Sequence, residues 1–189
     1  MPDPSSEPRS PAVRALTVAL VSTAVLVGGV YLAIDRLHAS ANDAVEHPGP
    51  PADDARTQSE VVEQARDIVA VARLRRPTAG YLLMSCKNRD DPPYQGAVYM
   101  NFQLPSDITA EQYLRDASAA LAARGWREGL PSNQHLVERN LSKDGVNAVL
   151  YFDADTPTQG VARIYGQCRD VTDHRGAKAG WVDITDRLH

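Results

Sequence analysis

The chain has 189 residues, 43% hydrophobic and 23% charged, which allows one globular domain of ordinary size plus extensions. A formal net charge of -4 leaves no basic surplus to displace counterions from phosphates, and this argues against a nucleic-acid binder. The two cysteines, Cys86 and Cys168, read as free thiols in a reducing compartment and as a disulfide in an oxidising one, so their meaning depends on location.

Residues 1–14 are polar and proline-rich and read as a disordered cytoplasmic tail. Ala15 to Ile34 is a run without a formal charge. As a helix it would span roughly 30 Å, the thickness of a bilayer's hydrocarbon core. Arg9 and Arg14 precede it and Arg36 alone follows closely, so the positive-inside rule puts the N-terminus in the cytoplasm and the rest of the chain outside. Two other readings stand beside this one. Ala39-Ser40-Ala41 resembles a signal-peptidase site, although a typical signal core is shorter than this run. A buried core helix would need surroundings that an extreme terminus does not offer.

Residues 35–56, with Pro48, Pro50 and Pro51, read as a linker. Thr57 with Glu60 fits a capping box for a helix ending near Leu74, whose stripe is Val61, Val62, Ala65, Ile68, Val69 and Ala72. Arg73, Arg75 and Arg76 suit its C-terminal dipole, and Pro77 stops it. A first strand is expected over Gly80 to Lys87. The alternation of Val98, Met100, Phe102 and Leu104 with Tyr99, Asn101 and Gln103 marks a second strand with one face in the core. Thr109 caps a second helix, and Gly125 follows its end. Strands are expected at His135–Leu141, Val146–Phe152 and Val161–Cys168, with Lys143-Asp144-Gly145 turning between the first two. The predicted fold class is α+β: a five-stranded antiparallel sheet with two helices on one face, over residues 57–176, preceded by one transmembrane helix at 15–34 and followed by a polar tail at 177–189. Trp181 to Ile184 is a candidate for a short docked piece of that tail.

Met84-Ser85-Cys86, Asp91-Pro92-Pro93-Tyr94-Gln95-Gly96, Gly125-Trp126, Lys143-Asp144-Gly145-Val146, Gly166-Gln167-Cys168-Arg169 and Thr172-Asp173-His174 resemble the LppJ-type lipoproteins of mycobacteria. The likeness covers roughly residues 58 to 176. It implies an actinobacterial cell-envelope protein, and it implies a location rather than a chemistry. Family members with a lipobox are anchored by an acylated cysteine. No cysteine follows the hydrophobic run here, so a transmembrane helix would take that role.

A bond between Cys86 and Cys168 would make neighbours of the segments leaving them. Lys87, Arg89, Asp90 and Asp91 would then lie near Arg169, Asp170, Asp173 and His174. Such a cluster can bind a hard cation or supply acid/base groups, or it can be paired loop charges that fix the chain. Asp91-Pro92-Pro93-Tyr94 reads either as a polyproline-like partner motif or as a rigid loop covering the disulfide. The sequence has no H-E-x-x-H or paired-cysteine zinc spacing, no G-x-S-x-G elbow and no glycine-rich phosphate loop, so no cofactor and no catalytic residue is assigned. The leading expectation is a single-pass, membrane-anchored extracytoplasmic module without enzymatic activity, binding an envelope protein or cell-wall component. The alternatives are an envelope hydrolase and a structural subunit of a membrane complex, for which Gly28-Gly29 would permit close helix packing.

Overall fold

The computed structural model describes residues 50–87, 91–131, 137–152, 156, 158–175 and 180–189. The expected membrane span at 15–34 and the Ala39–Ala41 site lie outside these residues. Among the described residues no helix is long and apolar enough to cross a membrane.

Helix α1 (Asp54–Val71) begins a turn earlier than the capping-box reading placed it. The Asp53 carboxylate accepts a hydrogen bond from the Arg56 backbone N–H at 2.8 Å and so captures the N-terminus. Thr57, the expected cap, is instead buried inside the helix. The stripe Val61, Val62, Ala65, Ile68 and Val69 is buried as its spacing predicts. Strand β1 (Arg75–Ser85) starts five residues before Gly80. Pro77 ends the helical pattern but does not exclude a strand, because a register shift between Arg75 and Thr78 takes it out of the ladder. Strand β2 (Tyr94–Gln103) pairs antiparallel with β1. Helix α2 (Ala110–Ala122) has its predicted cap, with Thr109 Oγ1 accepting from the Gln112 N–H at 3.1 Å. Beyond it lie β3 (Arg127–Glu128), β4 (Glu138–Lys143), β5 (Val146–Phe152), β6 (Gln159–Tyr165), β7 (Val182–Asp183) and a 3-10 turn, Thr185–Arg187.

Among the described residues the sheet has seven strands in the order β3-β4-β5-β6-β2-β1-β7, all pairs antiparallel, so the expectation of five is corrected. The two additions are the edge strands β3 and β7, each of two residues, too short to show an alternation of their own. β7 belongs to the segment read as a polar tail. Ile184 and Leu188, both buried, anchor it, and the Ala79 N–H donates to Thr185 Oγ1 at 3.0 Å.

Core residues of α1 and α2 join one face of the sheet, contributed by Ala79 and Tyr81, by Val98, Met100 and Phe102, and by Ala148, Leu150, Ala162 and Ile164. α1 crosses the middle strands and α2 covers β3 and β4. Trp126 is buried, and its indole N–H donates to Asp67, which also pairs with Lys143 at 2.9 Å. Burial pushes the Asp67 carboxyl up, but the Lys143 and Trp126 hydrogen bonds outweigh it and leave the group below its ordinary value. Two glycines let α1 approach the sheet. A Cβ at Gly96 would stand 2.8 Å from the Thr57 carbonyl oxygen, and one at Gly166 would stand 2.9 Å from Val61 Cγ1.

Cys86 and Cys168 are joined, closing a loop of 82 residues. Replacing both by serine is expected to lower stability by up to about 4 kcal/mol, read as a fall in the urea midpoint with a steeper slope, because the unfolded chain is then less compact. Gly96→Ala is expected to cost about 2 kcal/mol in the same assay, because the obstacle is backbone and cannot turn aside. A neutral result would mean that α1 does not press on β2.

Candidate functional site

After β6 the chain crosses the end of β2 to reach the end of β1. The Tyr94 N–H donates to the Asp170 carbonyl at 2.7 Å, the Asp170 N–H donates back at 3.2 Å, and the Ala52 N–H donates to the Arg169 carbonyl at 3.0 Å. The Cys86 N–H donates to the Pro93 carbonyl at 2.9 Å. The crossing brings Asp170 and His174 together.

Their partner was missed. Asp54, in the first turn of α1, lies 2.9 Å from His174 Nε2, and Asp170 Oδ2 lies 3.2 Å from the same nitrogen. Asp170 has no solvent exposure, and its Oδ1 accepts from the Thr172 N–H at 2.9 Å. Tyr94 stands edge-on to the His174 ring at 4.9 Å. The sequence signal for Asp54 was its spacing: it precedes Val61 by seven residues, two helical turns, and so shares the flank of the buried stripe.

The other expected members separate. Arg169 pairs with Glu60 of α1 at 3.0 Å, with 11% and 14% exposure. Asp173 pairs with Arg175 at 2.8 Å on the surface. The Asp91 carbonyl accepts from the Ser85 hydroxyl, and Lys87 is exposed. Arg89 and Asp90 lie outside the described residues.

Burial opposes ionisation of Asp170, but hydrogen bonds from Thr172 and Asp54 outweigh it and lower its pKa. Partial desolvation and the neighbouring Asp170 raise that of Asp54 against the pull of His174. Of the two, Asp54 therefore takes up a proton first as pH falls. Tyr81, buried behind the pair, is pushed up to about 12, chiefly by burial and then by the charges of Asp54 and Asp170. The two carboxylate oxygens and Nε2 lie within 4.8 Å of one another, near enough for one ion to reach all three. They already satisfy each other, and in this form they latch α1 to the returning chain.

The second feature is the sheet face away from the helices. A groove of about 690 Å³ runs over it, lined among others by Leu82, Met84, Tyr99, Arg163, Tyr165 and Trp181. Trp181, 56% exposed, meets Tyr99 edge-on at 6.2 Å. The Arg163 guanidinium sits over the rings of Tyr99 and Tyr151 at 5.5 and 5.4 Å. The alternation in β2 foretold that Tyr99, Asn101 and Gln103 face away from the core. The sequence marked Trp181 to Ile184 as a candidate docked piece, but not that Trp181 would stand beside Tyr99.

Asp170→Asn tests the latch. The Asp170 carboxyl titrates lower in the fold than in the unfolded chain, so its contribution is complete above about pH 4 and is lost as pH falls through its folded value. Asp54, with its raised value, contributes with the opposite sign and partly offsets this. The variant is expected to lose about 2 to 3 kcal/mol near neutral pH, and the deficit should close in acid, where the parent loses the same charge. A deficit unchanged by acid in paired denaturant titrations would refute the assignment.

The family described as "Putative lipoprotein LppJ" matches residues 53–187. Proteins of the same description in Mycobacterium tuberculosis (strains CDC 1551 / Oshkosh and ATCC 25618 / H37Rv) and Mycobacterium bovis (strain ATCC BAA-935 / AF2122/97) are each 36% identical over 173 residues, covering 88% of this chain and 91% of the relative. No solved structure matches. The matched span takes in α1, α2, β1 to β7 and the cystine; the chain belongs to the LppJ lipoprotein family.

Proposed function

We propose that the chain is a membrane-held module of the cell envelope that binds a partner through the open face of its sheet. Three features support the tether and its compartment. Ala15–Ile34 is an uncharged run long enough for a bilayer, the relatives carry a lipoprotein description, and Cys86 and Cys168 form a bond that persists in oxidising surroundings. In this reading the hydrophobic run spans the membrane once, with the N-terminus in the cytoplasm.

The groove carries the assignment of a binding role. A sheet with one face covered by helices can leave the other to water, and such a face is ordinarily polar. This one presents leucine, methionine and tryptophan around a depression of ligand size. Catalysis finds less support. His174 is largely buried, and its Nε2 is already engaged by two carboxylates. A general base must reach a substrate proton.

Photocrosslinking in intact cells tests the assignment. A benzophenone amino acid at Leu82 or Tyr165 is expected to give adducts, and one at Arg115, exposed on α2, is not. Adducts from Arg115 alone would overturn the choice of face. Recovery of the full-length chain from the soluble cytosol would overturn the tether.

A further inference from the structure

Arg163 stands near the middle of the open face. It pairs with Tyr99 across to β2 and with Val149 across to β5 in the ladder register. Tyr99 and Tyr151 hold its guanidinium by cation–π contact. Among the described residues it has no carboxylate partner, and its Nε is buried without an acceptor. Arg139 and Arg169 also have a buried Nε without an acceptor, but each has a carboxylate within reach, as do the exposed Arg115 and Arg175.

An orphaned N–H donor on a part-buried cation is costly unless something accepts from it. A tyrosine ring face attracts the cation but gives no lone pair to its N–H donors. Those donors lie in its plane, in the fork that matches a carboxylate or phosphate. Around the cation the groove is mainly aliphatic and aromatic: Leu82 and Met84 from β1, Ala97 from β2, Tyr165 from β6, and Trp181 as one wall. Trp181 lies against Gly80, where a Cβ would stand 3.1 Å from its ring. The anionic group in the lining, Asp183, is on the edge strand β7, and the Thr185 N–H donates to it. An anion would therefore be drawn to Arg163 and repelled from that edge.

We propose that the groove binds an anionic amphiphile: a single alkyl or acyl chain lying over Leu82, Met84 and Trp181, its carboxylate or phosphate head paired with the Arg163 fork. This rests on the open face being the binding face and names what it takes. The volume of about 690 Å³ falls within the range of sites that enclose a small ligand. A neutral glycan would also stack on Tyr99 and Trp181. It would leave the cation unanswered and would set polar hydroxyls against Leu82 and Met84, so the lining favours the amphiphile.

The test uses the full-length chain in native membranes and a diazirine-bearing, clickable fatty acid, with labelled peptides mapped by mass spectrometry. Label is expected in β1, β6 and the peptide containing Trp181. Excess laurate should compete if the head is a carboxylate and dodecyl phosphate if it is a phosphate, and dodecanol at the same concentration should compete at least about tenfold less well. Arg163→Gln should reduce labelling about tenfold or more, and Arg163→Lys should restore part of it. Competition in the unaltered protein needs no variant, so a variant that fails to fold leaves the test intact. Equal competition by dodecanol would overturn the role of Arg163. Label confined to the helix side, or displaced by a chito-oligosaccharide but by neither anion, would overturn the amphiphile. Loss of the amphiphile with face-specific benzophenone adducts retained would leave the open face standing as the binding surface with a different occupant.

Discussion

Helix α1 lies directly on the backbone of the central strands, and the arrangement of one whole edge of the domain follows from that contact. No side chain stands at Gly96 or Gly166, so Thr57 and Val61 come down on β2 and on the chain just past β6. The Gly166 N–H donates to the Gly96 carbonyl at 2.9 Å, and this extends the β2–β6 pairing beyond the ladder. At that distance the acidic residues flanking the apolar stripe reach the returning chain: Glu60 meets Arg169, and Asp54 meets His174. Larger residues at the two glycines would lift the helix, and both pairs would then open toward water, where an ion pair contributes little. The cystine adds a covalent restraint on the same crossing. It limits the unfolded chain more than it orients the folded one.

The two faces of the sheet are built on different terms. On the helix side, Val98, Met100, Phe102, Leu150 and Ile164 are essentially without exposure, and polar groups are confined to the margins. On the other side the Arg163 cation lies over two tyrosine rings, and among the described residues it has no salt-bridge partner. Folding alone does not favour that choice, because a threonine or valine would pair across the strands at no desolvation cost. Residues that violate local consistency without a structural return tend to mark functional sites. Here the violation coincides with a groove of about 690 Å³.

Much of this was legible in the sequence because periodicity reports burial directly. The stripe of α1, the alternation in β2, the Thr109 cap and the Asp144-Gly145 turn, with φ of 51° and 82°, follow from local chemistry and appear as read. The failures share a cause. Asp53 captured the helix start in competition with Thr57, and such choices between adjacent caps turn on tertiary placement. β3 and β7 are strands only by virtue of their partners, so no pattern within two residues can announce them. The cluster by the cystine was assembled from sequence neighbours of the two cysteines, whereas the groups that complete it come from a helix about a hundred residues away in the chain. Local signals, which see only residues close in sequence, carry no information on Asp54 or Glu60.

The C-terminal segment joins stability to binding. An exposed β1 would offer unpaired backbone groups to another chain, and β7 covers two positions of that edge, Gly80 and Tyr81. Buried Ile184 and Leu188 hold the segment down from its far side. The same docking brings Trp181 over Gly80 and against Tyr99, where it becomes a wall of the groove. Edge protection by itself would be served by a short polar strand. A half-exposed tryptophan at this place adds apolar surface facing water, an arrangement that an isolated edge gains nothing from. The placement makes sense when the tail is also part of the binding face. Occupancy of the groove and docking of the last residues are then thermodynamically linked, since a ligand that touches Trp181 binds only the docked state and stabilises it.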